Sequence, residues 1–276
     1  VFTVAVLSLK GGVGKTTVTL GLAGAAVTRG LRTLVVDLDP QANATLALDV
    51  SADGGTVADV FVEPGAAAVA AALRPSSWTG ELRTRPGGAL EVLVGHGDLL
   101  HHDVPDPSSG LLHVLAEALA TLPEPYDVVL LDCPPSLGRL TRTALVAAQR
   151  ALVVTEPSFF AVHGAHRAFR AVQEERALNP ALQPLGVIVN RYDARMVEHR
   201  FRYEELRELF GPLVLFPPLP DRTIVAQAQG MALPLHRWRT SAAREATDAF
   251  DNYLARLLRA AERRGADEPG SGLAVG

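Results

Sequence analysis

The stretch at residues 9–17, LKGGVGKTT, restricts this chain more than any other. It follows an apolar run, Phe2–Leu7, and precedes residues 18–28, whose apolar positions recur at helical spacing. Glycines at 11, 12 and 14 let a backbone turn tightly and aim successive N–H groups inward, and a helix starting near Lys15 adds the positive end of its dipole. Strand, glycine loop and helix in this order make an anion cradle in which a lysine reaches the outer phosphates and the following threonine holds Mg²⁺. A plain glycine turn lacks the coincidence of Lys15, Thr16 and Thr17 with that context.

Composition sharpens this reading at one point. Lys10 and Lys15 are the only lysines in a chain of 26 basic residues, the rest being arginine. A compact ammonium is kept where a planar guanidinium does not fit, so the two lysines mark the loop independently of any pattern.

Further apolar runs at 34–38, 127–131, 151–155 and 185–190 alternate with helical spacing at 161–178 and 199–210. This alternation predicts an α/β fold, a doubly wound and mainly parallel sheet, with ligands at the carboxyl ends of the strands. Two of the runs end in acids: Asp37 and Asp39 before Pro40, and Asp132 before Pro134 and Pro135. Beside a phosphate site such acids hold the metal through water and orient an attacking water, although a strand-terminal Asp near proline also serves as a plain turn former. Residues 51–107 read as an elaborated crossover with an extended run at 90–94. A docking helix is expected at 242–261, within a single domain spanning 1–264, and residues 265–276, with nothing to bury, are expected to be a disordered tail.

Several function classes are excluded. No run approaches the roughly eighteen apolar residues of a membrane span, so a cytoplasmic protein is expected. Cys133 alone makes no internal disulfide and leaves too few thiolates for an iron–sulfur site. A net charge of -4 announces no global attraction to nucleic acid, so DNA binding would need a local patch. Residues 190–244 supply one, with nine arginines against six acids. A solvated face with internal ion pairs is the other reading of the same count.

The loop departs from the general pattern at Leu9, where a glycine is usual, and at Lys10. LKGGVGKTT resembles the deviant Walker loop of the ParA/MinD family. The resemblance continues through VVDLDPQANAT at 35–45, VVLLDCPPSLG at 128–138, GVIVNRYDAR at 186–195 and LPDRTIVAQAQGMALPL at 219–235, and is greatest to small ParA/Soj-type partitioning ATPases. It implies ATP and Mg²⁺ as cofactors, with the phosphates on Gly11, Gly12, Val13, Gly14, Lys15, Thr16 and Thr17. Thr16, Asp39 and Asp132 would serve the metal, and Asp39 the attacking water. Asn190 and Pro220 would serve the adenine. Lys10 would reach across a homodimer to the partner's nucleotide, whereas a second ammonium acting on its own chain's triphosphate is the alternative that the residues leave open.

The same resemblance implies a slow ATPase, nonspecific DNA binding by the ATP dimer, nucleoid association and a ParB-like centromere-binding partner that stimulates hydrolysis. Arg195 and Arg222 are the DNA candidates, because Ile224 stands where relatives often carry an arginine; Gln227 replaces an acid of that loop. The rivals are a MinD-like positioning ATPase acting on protein or membrane cargo, for which the tail after Arg264 lacks a basic amphipathic helix, and an amide-forming ligase. No stable membrane association is expected.

Overall fold

The computed structural model describes residues 2–82, 85–104 and 109–267. Seven strands form one sheet: β1 (Phe2–Leu7), β2 (Arg32–Asp37), β3 (Leu73–Pro75), β4 (Ala89–Leu93), β5 (Val128–Asp132), β6 (Arg150–Thr155) and β7 (Gln183–Val189). Their spatial order is β3-β4-β2-β5-β1-β6-β7, and every pairing is parallel except β3 with β4. The doubly wound expectation is met. The antiparallel edge was not anticipated: β3 is three residues long and ends in Pro75, so it carries little strand pattern and closes the sheet with a residue that has no N–H to donate.

Alternation along the central strands sends side chains to two separate cores. Val4 and Val6 of β1 join one, while Ala5 and Leu7 join the other. The first core lies under α1 (Lys15–Thr28), α2 (Asn43–Ala47), α10 (Thr223–Gly230) and α11 (Ser241–Asp267). The second is covered by α3 (Val57–Val62), α4 (Ala66–Ala72), α6 (Val114–Ala120), α7 (Arg139–Ala147), α8 (Phe159–Glu175) and α9 (Val197–Phe210); the short α5 (Trp78–Glu81) sits in the crossover. The crossover is thus more structured than expected. The helix expected at 242–261 continues through Asp267, so the boundary set at Arg264 falls inside it, and the rest of the expected tail, 268–276, lies outside the described residues.

Two cores drawn from alternating strand positions make the strands near-continuous apolar runs, which is why they were legible. The helix α1 has another requirement. It is built largely from small residues, TLGLAGAAV, and is buried nearly all round. Its Gly21 faces the ring of Phe250 on α11 so closely that a Cβ would stand 2.2 Å from the ring. Gly30, at φ 88, ends the helix by donating to Val27 O, while Leu31 N returns to Ala26 O.

Gly21→Ala is therefore expected to destabilise the fold by about 1–3 kcal/mol, because Phe250 is itself buried and its ring must shift to clear the new methyl group. Chemical denaturation of the two proteins measures it; a midpoint equal to the parent's would show that α1 and α11 do not approach as described.

Candidate functional site

The chemistry-bearing side chains collect at the carboxyl ends of β1, β2, β5, β6 and β7. Ser8, just past β1, brackets the next turn: its hydroxyl accepts from Lys10 N at 3.2 Å and donates to Lys10 O at 3.2 Å. Gly12 and Gly14 then adopt left-handed conformations, φ 79 and 95, which a side chain there would strain. Gly11 and Gly12 have open space on the side where a Cβ would stand, as a loop that wraps an anion requires. The first residues of α1 follow directly, so Gly11–Thr17 forms a concave run of backbone donors ending at a helix N-terminus.

Three carboxylates and one ammonium face this loop. Parallel register places Asp37 of β2 opposite Asp132 of β5. Thr16 Oγ1 donates to Asp132 Oδ2 at 2.7 Å and Thr19 Oγ1 donates to Asp132 Oδ1 at 3.0 Å. Asp37 Oδ2 accepts from both the N–H and the hydroxyl of Thr45, each at 2.8 Å. Asp39 places one oxygen 4.0 Å from Lys15 Nζ and accepts from Gln41 N with the other, at 3.0 Å. All four charged groups are buried. Burial raises the Asp132 carboxyl above the usual range against the pull of the Thr16 hydrogen bond and of Lys15; burial, and then the charge of Asp132, raise Asp37.

Hard oxygen donors in excess of cations are what a divalent magnesium ion offsets, so the residues fit that ion. Among the described residues no three acidic, histidine or cysteine side chains form a metal cluster on their own. An ion here would take Thr16, with the remaining positions filled by phosphate oxygens and water, and Asp39 and Asp132 behind them.

Beside Thr17, a cleft of about 220 Å³ is lined by Asn190, Arg191, Pro220, Arg222, Val225 and Gln229 among others. The two residues expected to serve a base are therefore together. Asn190 is committed on one side: its Nδ2 donates to Val13 O at 2.7 Å, tying the end of β7 to the glycine loop. A Cβ at Gly14 would meet that amide at 2.1 Å, so the third glycine is needed for this approach as well as for its φ. Gln229 Nε2 donates to Thr17 Oγ1 at 3.0 Å and separates this cleft from a second, of about 440 Å³, along Thr16, Asn43, Leu46 and Gly230.

Lys10 lies at the rim, its side chain 39% exposed. Its ammonium pairs with Glu156 and donates to Ser158 Oγ at 3.3 Å. The two DNA candidates stand on neighbouring loops, joined by the bridge between Tyr192 and Pro220, but each already has an acid: Arg195 with Asp193, Arg222 with Glu245. Arg191, Arg202, Arg207 and Arg237 pair with Glu156, Glu198 and Glu205, Glu204, and Glu81. The net positive count of this segment is largely offset in the fold. Ile224 is buried in the first core, so its position presents little to solvent.

Sequence reasoning missed Thr19, Thr45, Glu156 and Gln229. Thr19 was accessible, since positions 16 and 19 share one helix face. Glu156 directly follows β6, whose apolar run was read at 151–155, much as Asp37 and Asp132 end their strands, so the same rule applied to it. Thr45 lies only eight residues after its partner Asp37, at the end of the 35–45 segment, whereas Gln229 carried no signal, because Thr17 lies far off in sequence.

Comparison with known proteins agrees with this geometry. The family described as AAA domain matches residues 1–183. The chromosome-partitioning ATPase Soj of Thermus thermophilus is 36% identical over 226 residues, 82% of this chain and 83% of Soj. The chromosome partitioning protein ParA of Caulobacter vibrioides is 31% identical over 235 residues, 84% of this chain and 85% of that protein. Among solved structures, cobyrinic acid a,c-diamide synthase from Mycobacterium smegmatis, with bound ADP and magnesium, superposes with a TM-score of 0.75 at 28% identity, covering 95% of each chain. Matching that family over residues 1–183, and 36% and 31% identical to Soj and ParA over more than four fifths of its length, this chain belongs to the AAA-domain P-loop family of the partitioning proteins Soj and ParA.

Proposed function

We propose that this protein is an ATP-dependent dimerising switch of the DNA-partitioning kind, which binds MgATP, hydrolyses it slowly and holds DNA nonspecifically while ATP is bound. The observation that carries the reading is the array of Lys15, Asp39, Thr16 and Asp132 around the glycine loop, in a chain 36% identical to Soj. The backbone N–H groups of Gly11–Thr17 bind the phosphates, and Lys15 leaves Asp39 enough to bridge the outer two. Thr16 and Asp132 would hold magnesium, which when bound would offset charge on the phosphate oxygens. Asp39, freed from part of its attraction to Lys15, orients the attacking water. Asn190 keeps its amide nitrogen on Val13 and presents its oxygen to the base, with Pro220 packing beside it. Lys10 acts on the nucleotide of a second copy.

In this reading DNA phosphates exchange with the carboxylates now paired to Arg195 and Arg222, and a dimer doubles that surface. A ParB-like protein accelerates hydrolysis and so releases the DNA, and the protein is found on the nucleoid.

A second reading, an amide-forming ligase, has one observation in its favour: the likeness to the M. smegmatis synthase, together with a roomy cleft beside Thr16. It requires ATP turnover that rises with cobyrinic acid and an ammonia donor and is indifferent to DNA.

Three outcomes test the proposal. Lys15→Ala lowers ATP affinity at least about 100-fold, roughly 2.8 kcal/mol, by titration calorimetry; equal affinity would overturn the phosphate-site assignment. Asp39→Ala keeps ATP affinity but loses about 100-fold or more in turnover and accumulates a dimer in MgATP; hydrolysis at the parent rate removes Asp39 from the chemistry. Binding to a random-sequence duplex appears with ATP and not with ADP, and weakens as salt rises. Replacing both Arg195 and Arg222 with Ala lowers that salt slope by about two per protomer, and an unchanged slope places the DNA elsewhere.

A further inference from the structure

Glu156 is the acid that the nucleotide chemistry leaves unused. It directly follows β6, at the same carboxyl edge of the sheet where Asp37 and Asp132 end their strands, yet it faces Lys10 instead of Lys15. One of its oxygens takes the Lys10 ammonium and accepts from Ser158 Oγ at 3.2 Å; the other lies 3.7 Å from the Arg191 guanidinium. The glycine loop after β1, the end of β6 and the end of β7 therefore meet on one carboxylate.

Resting on the reading that Lys10 serves a second copy's nucleotide, we propose that Glu156 is a positioning residue that latches Lys10 within its own chain and thereby sets the protein concentration at which the ATP-bound form dimerises. The backbone and side chain of Lys10 are held separately. Ser8 fixes the backbone through both the N–H and the carbonyl, whereas, among the described residues, the ammonium at the end of a four-carbon stem is held by Glu156 and Ser158. The ammonium can swing away without disturbing the phosphate loop. Its partial exposure leaves it open to exchange with a competing anion.

The competitor in the dimer is a polyphosphate, which carries more charge than one carboxylate. When Lys10 leaves, Glu156 retains Arg191 and is not stranded without a cation. Release is thus resisted but not prohibitive, as a threshold requires. A partly exposed ion pair with one supporting hydroxyl resists by roughly threefold. Each dimer opens two latches and the factors multiply, so the dimerisation midpoint moves by about tenfold.

Two measurements test this on the full chain. Because Lys10 and Lys15 are the only lysines, acylation by an amine-reactive ester followed by peptide mass spectrometry reads them one by one. In nucleotide-free protein, Glu156→Gln and Glu156→Ala are expected to raise the Lys10 acylation rate about three- to tenfold while the rate at buried Lys15 stays the same. Equal Lys10 rates in all three proteins would overturn the latch. Sedimentation in MgATP, in an Asp39→Ala background, then reads the gate. Adding Glu156→Gln is expected to lower the dimerisation midpoint about tenfold, and further adding Lys10→Ala to cancel that gain. An unlatched Lys10 with an unmoved midpoint would sink the gating role yet leave the dimer reading standing, provided Lys10→Ala alone weakens the dimer. Absence of any MgATP dimer, or a dimer indifferent to Lys10→Ala, would overturn the underlying reading and the gate with it.

Discussion

Asp132 lies fully buried at the end of the central strand β5, and hydroxyls from one turn of α1 take both its oxygens. A buried carboxylate costs several kcal/mol unless hydrogen bonds and an opposite charge meet it, and here Thr16, Thr19 and Lys15 supply both. All three belong to the first turns of α1. The helix that opens the glycine loop is therefore anchored to the sheet through the same residues that would hold metal and phosphate. Asp37 and Asp39 crowd the same space, and one buried lysine does not offset three acids. The site is underneutralised by construction, which makes a cation an integral part of its balance and couples nucleotide and metal to each other.

The anchoring works only if α1 can lie flat between sheet and C-terminal helix. Gly21 against Phe250 of that helix and Gly24 against His236 in the turn before it allow that approach, since a Cβ at either would stand under 3 Å from the opposing ring. The small residues of α1 thus serve the site at a distance: they set the depth at which Thr16 and Thr19 meet Asp132. On the opposite face Asn190 fixes the other flank of the loop through Val13 O, so the cradle is held from below by β5 and from the side by β7. Left-handed residues occur at Ala42 and Arg191, both in loops that carry site residues.

The fold was legible because both of its signals are local. Buried parallel strands write continuous apolar runs, and the glycine loop writes its own φ requirements into residue type. Lys15, Thr16, Asp39 and Asp132 were legible for the same reason, as each stands at a strand end or helix start. The short β3 was not, having three residues and no alternation to read. The state of the arginines was half legible. Pairs such as Arg202 with Glu198 and Arg207 with Glu204 follow from helical spacing, but Arg222 finds Glu245 and Arg237 finds Glu81 only through the tertiary fold.

Those pairs change how an anion meets this protein. Among the described residues, Arg200, Arg239 and Arg244 of the 190–244 segment have no acid within ion-pair distance, whereas its other arginines already hold one. Lys10 follows the same rule at the nucleotide edge. Binding a phosphate at such positions is an exchange of one anion for another, and the net gain per contact is smaller than for a free cation. A surface made of exchanges binds weakly through one copy and discriminates strongly between one copy and two, because the modest terms accumulate only when many act together. On the proposed reading of a switch that lets go of a polyanion after hydrolysis, paired arginines are accordingly better suited than bare ones: every released phosphate leaves behind a side chain whose own carboxylate is waiting beside it.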